Sequence, residues 1–116
     1  MKSSKKTFKF LVFTIEVYIT DSALEGFREE ALAGVYPHEE NSPVFKIWFK
    51  KIFSTETLVH ECWHLYMTML MAMDCRPHYF DELNTEIYAY SFHSLVSGVL
   101  ETATSMKAYK EYYKEA

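Results

Sequence analysis

The feature that most constrains this 116-residue chain is the Leu- and Met-rich run between Ser54 and Cys75-Arg76-Pro77. Ser54 is a good N-cap, and the apolar spacing predicts a helix from about Thr55 to Met73 that the proline segment stops. Its most apolar part, Leu65 to Met73, is shorter than the roughly 18 apolar residues that a bilayer span needs, so it reads as a core helix. Met67, Met69, Met71 and Met73 spread around a helix, and flexible thioethers of this kind fill gaps in a core.

The rest of the chain supplies partners for that helix. Residues 8–19 alternate with period two, Leu11, Phe13, Ile15, Val17 and Ile19 sharing one parity, and read as a strand. Thr20-Asp21-Ser22 is a helix-start signal, with Glu25 completing a capping box, so a helix is expected over 22–33 with Gly34 as its C-cap. Pro37, Asn41, Ser42 and Pro43 mark a turn region, with a short strand near Val35-Tyr36. A second strand is expected over 44–50, with Phe45, Ile47 and Phe49 on one face. Lys46 and Lys50 share the other face with Trp48, as on an exposed edge strand. A last helix is expected over 81–106, with Gly98 as its weak point, followed by a polar tail, 107–116. The expected class is α+β: one domain, 1–116, with a small antiparallel or mixed sheet of two or three strands packed on three helices.

Composition narrows the functional classes. With 49% apolar residues and a net charge of −4 the chain is neither disordered nor a general nucleic-acid binder. The lysine clusters Lys2, Lys5, Lys6, Lys9 and Lys46, Lys50, Lys51 carry no base-reading motif and read as solvated strand edges. Cys62 and Cys75 form no disulfide framework and read as small buried residues of a reducing compartment. The lysines and apolar residues at the N-terminus do not make a signal peptide, because Glu16 closes the stretch and no small-residue cleavage site follows. A soluble, cytoplasmic protein without a membrane partner is expected; its oligomeric state is open.

Of the five histidines, two fall at ligand spacing. His60-Glu61-Cys62-Trp63-His64 reads HExxH. On a helix, positions i and i+4 lie on one face about 5–6 Å apart, so both imidazoles can hold one zinc ion. Glu61 projects at a different angle, suited to a general base acting on water. A catalytic zinc site takes a third protein ligand, and the candidates are Asp81, Glu82, Glu86, His78 and His93. Glu86 is best placed, on the next helix within Glu86-Ile87-Tyr88-Ala89-Tyr90. Strictly antiparallel helices would instead bring His64 opposite a position nearer His93, which lies on the same face as Glu86. Tyr90 shares that face too; it orients a ligand, donates to an oxyanion, or simply packs. His38 and His78 read as surface histidines.

The segments Phe45–Phe49, Thr57–His64 and Glu86–Tyr90 together resemble the small zinc peptidases of tailed phages and prophages. More broadly they are similar to minimal gluzincins, with HExxH followed by ExxA on the next helix. The resemblance covers roughly residues 44–97. It implies a zincin-like domain, zinc bound by His60, His64 and Glu86, Glu61 as general base, and a peptide or protein substrate in a bacterial host cell. Many larger gluzincins carry an Asp four residues after the ligand Glu, where this chain has Tyr90. They also carry a further domain that completes the substrate cleft. The small size and that departure keep a second reading open, a metal-binding but non-catalytic accessory protein that contacts a host partner.

Overall fold

A computed structural model describes residues 3–23, 26–51, 53–73, 82–107 and 109. Its strands are β1 (Ser3–Phe10), β2 (Phe13–Thr20), β3 (Ala33–Val35) and β4 (Val44–Lys50); its helices are α1 (Thr55–Ala72) and α2 (Glu82–Ser105). The class is α+β, with a mixed sheet in the order β1-β2-β4-β3. β1 and β3 run antiparallel to their neighbours, while β2 and β4 are parallel.

The expected single strand over 8–19 is the end of the first arm of a hairpin, its turn and most of its second arm. Phe10 pairs with Phe13 across a two-residue turn, and Leu11 takes a φ of 55° there. The turn shifts the sequence phase, so Leu11 is exposed while Ile15, Val17 and Ile19 are fully buried. These residues face the helices together with Phe45, Ile47 and Phe49 of β4, which lie beside them in register. Leu58, Cys62, Leu65 and Met69 of α1 and Leu95, Val99 and Ala103 of α2 complete this core. Period-two apolar patterning on the sheet and 3.6-residue patterning on the helices thus meet in one layer interface.

β4 is not an edge. It lies between β2 and β3, and Phe45, Ile47, Trp48 and Phe49 are all buried. A strand covered on both faces reads as a near-continuous apolar run. Its lysines escape along their stems: Lys46 reaches over the Tyr36 ring, and Lys50 Nζ donates to the Glu29 carbonyl at 3.1 Å. The edges are β1 and the short β3.

The helix expected over 22–33 is absent from the described part of that segment. Residues 26–32 form turns and bends, with Gly26 at φ 91° and Ala31 N–H bonded to the Arg28 carbonyl at 2.9 Å. Glu25 of the expected capping box lies outside the described residues. A left-handed residue breaks the helical hydrogen-bond run, and the segment instead lays Phe27 on the sheet. Phe27 packs edge-to-face on Trp48 and on Tyr36, with ring centroids 5.0 and 5.7 Å apart. This covers the sheet face opposite the helices. Two helices rather than three are therefore seen among the described residues.

α1 begins where expected: the Ser54 hydroxyl accepts from the Thr57 N–H at 3.1 Å. α2 returns antiparallel along it, Phe92 against Trp63 and Tyr66, and Tyr109 against Phe53. Gly98 marks a close approach, since a Cβ there would sit 2.5 Å from the Phe8 ring. Among the described residues no helix is long and apolar enough to cross a membrane. The expected stop at Cys75-Arg76-Pro77 lies outside the described residues.

Candidate functional site

The phase of α1 decides what each residue of the motif does. Leu58, Cys62, Leu65 and Met69 face the sheet, so the opposite side of the helix carries His60 and His64 into solvent. Both imidazoles are exposed, with Nε2 atoms 3.2 Å apart and ring centroids at 4.8 Å. Two nitrogens bound tetrahedrally to zinc at ordinary distances stand about 3.3 Å apart, so this pair fits two positions of a zinc site. Glu61, about a hundred degrees round the helix, is half-buried between the histidine face and the sheet. Cys62 faces the core. Burial pushes its thiol up to about 12, with the Glu61 carboxylate adding to the effect. The Cys62 side chain is part of the core and does not line the groove beside the histidines.

Glu61 and His64 open onto a groove of about 420 Å³ between α1 and the sheet edge. Thr68, one turn beyond His64, lines the same groove and donates its hydroxyl to the His64 carbonyl at 2.8 Å. The opposite wall is Ala33, Gly34 and Val35 of β3, with Phe27, Tyr36 and Pro37.

The register of β3 fixes which of its backbone groups are available. Tyr36 N–H donates to the Lys46 carbonyl, and Lys50 N–H donates to the Leu32 carbonyl. Antiparallel pairs alternate, so Leu32, Gly34 and Tyr36 form the hydrogen-bonded pairs with β4. The N–H and C=O groups of Ala33 and Val35 therefore point off the sheet, along the free edge.

The remaining expected residues lie elsewhere. Tyr88, Phe92, Leu95 and Val99 turn α2 toward the core. Glu86, Tyr90 and His93 are consequently exposed on the face of α2 away from it. Trp63, edge-on to Phe92, stands between the histidine face of α1 and α2. Among the described residues no three His, Cys, Asp or Glu side chains gather closely enough to hold a metal ion. Asp81 and His78 lie outside the described residues. His38 is not a free surface histidine: it stacks on Phe45 at 4.1 Å, and its Nε2 lies 2.7 Å from the Ser42 carbonyl oxygen.

Family models, curated proteins and solved structures give no match to this chain. The sequence showed the motif and a short strand near Val35-Tyr36, observed at Ala33–Val35, but not that this strand is a sheet edge beside the motif, nor that Phe27 packs on the sheet. The signal for the edge was present, as a short uncharged stretch before the Pro37 turn. Phe27 was hidden because its spacing from Leu24 and Ala31 also fits a helix.

Proposed function

We propose that this chain is a small zinc-dependent peptidase, its site formed where α1 passes beneath β3. The observation that carries the reading is the paired imidazoles at 3.2 Å with Glu61 and His64 lining a groove under β3, a strand that has β4 as its one neighbour among the described residues. His60 and His64 would hold the metal, with Glu86 the third ligand that the resemblance implies. Zinc, when bound, polarises a carbonyl and makes water more acidic. Glu61 accepts the proton of the attacking water and delivers it to the leaving amine nitrogen as the C–N bond breaks. The outward groups of Ala33 and Val35 hold the peptide extended by strand addition.

Metal analysis of purified protein tests the ligand set. Zinc is expected in the wild type and absent from His64→Ala; equal zinc content in the two removes the site. Glu61→Gln is expected to keep zinc while hydrolysis of an unstructured protein falls by about 10²–10⁴, the range for a lost general base.

A second reading, a metal-binding module without catalysis, is favoured by the outward position of Glu86. Glu86→Ala separates the two. The peptidase reading expects loss of zinc and of hydrolysis. The binding-module reading expects unchanged zinc in a chain that cleaves nothing.

A further inference from the structure

Resting on the peptidase reading, we infer that Phe27 is a specificity-determining residue, selecting an aromatic or large aliphatic side chain in the substrate. A Cβ at Gly34 would lie 2.5 Å from Phe27 Cε1 and 2.7 Å from Trp48 Nε1. The Phe27 ring thus occupies the place where the side chain of the middle residue of β3 would stand. It is held there edge-to-face by Trp48 and Tyr36. Trp48 Nε1 is buried beneath it with no hydrogen-bond partner among the described residues.

An antiparallel peptide on the free edge bonds to Ala33 and Val35. The peptide residue opposite Gly34 is then in a non-hydrogen-bonded pair, where Cα atoms approach to about 4.5 Å and side chains are closest. Its side chain leaves the sheet on the face that Gly34 shares with Trp48. With no Gly34 side chain in the way, its nearest neighbour is the Phe27 ring. Contact between an aromatic ring and a cross-strand apolar partner favours binding, whereas a charged group there loses water without gaining a partner. The residues on either side of it turn their side chains to the opposite face, toward α1, where Glu61 and His64 line the groove. The selected residue therefore lies close to the cleaved bond.

The test uses extended peptides that differ only at one position, occupied by Phe, Leu, Ala, Asp or Lys. Hydrolysis is followed with the zinc-loaded wild type and binding with zinc-loaded Glu61→Gln. Phe and Leu are expected to bind and react about tenfold better than Asp or Lys, the difference residing in KM. Phe27→Ala is expected to level the series, and Phe27→Leu, which keeps an apolar cover on Trp48, to narrow the advantage of Phe over Leu. Circular dichroism checks that both variants fold. A preference absent from the wild type, or unchanged in both variants, overturns the inference, and retained hydrolysis would then leave the peptidase reading standing. Selective, Phe27-dependent binding without hydrolysis supports the inference and overturns the peptidase reading. Neither binding nor cleavage overturns both.

Discussion

The two edges of the sheet differ in length, charge and surroundings. β1 has eight residues, three of them lysines, Lys5, Lys6 and Lys9. β3 has three residues, Ala33-Gly34-Val35, without a charge. A long free edge invites pairing with another chain, and charged side chains along it are a common defence. β1 carries that defence: Lys5 pairs with Glu16 at 3.5 Å, and Lys9 Nζ donates to the Thr14 hydroxyl at 2.6 Å. β3 lacks it and borders the groove containing Glu61 and His64. Among the described residues the sheet thus has one long, charged edge and one short, uncharged edge.

The largest effect is expected from filling the bare position of the open edge. Gly34→Ala forces Phe27 and Trp48 apart and should lower stability by about 1–3 kcal/mol, the usual cost of overpacking, measured by urea denaturation. Next, Val35→Pro removes a donor that points off the sheet and leaves the β4 ladder intact, a position where an edge strand tolerates proline. Peptide affinity should fall about tenfold, the loss of one backbone hydrogen bond, with the melting temperature nearly unchanged. Tyr36→Pro removes a ladder donor and is expected to lower the melting temperature, so equal behaviour of the two variants would refute the assigned register. At the tip of the β1 hairpin, Leu11→Gly relieves the positive φ and should raise stability by up to about 1 kcal/mol. The smallest effect belongs to the guarded edge. Lys5→Val with Lys9→Val should leave the monomer folded but produce concentration-dependent association in sedimentation.

What was legible in the sequence was local. The Ser54 cap, the helical run after it and the i, i+4 imidazoles depend on residues within one or two turns, and α1 forms as expected. The strand at Val44–Lys50 was legible too, but its place in the sheet was not. Lys46 and Lys50 look the same on an exposed edge as on a central strand whose lysine stems run out over Tyr36 and Glu29. Strand order is set by long-range pairing, which alternation alone does not encode. Residues 22–33 misled for a different reason. Their apolar spacing fits a helix, but Gly26 in a left-handed conformation and Phe27 packed edge-to-face on Trp48 bend the chain over the sheet instead. The position of Glu86 also depends on helix phase across the chain. Its neighbours Tyr88 and Phe92 take the core face, which leaves the carboxylate outside.

Cys62 occupies the centre of the motif yet points away from it, fully buried under α1. A reagent reaches that sulfur when the turn holding His60 and His64 opens or α1 lifts from the sheet. The rate at which the thiol becomes labelled therefore reports how often α1 opens around the imidazole pair, and if the proposed zinc binds there, adding it should slow the labelling.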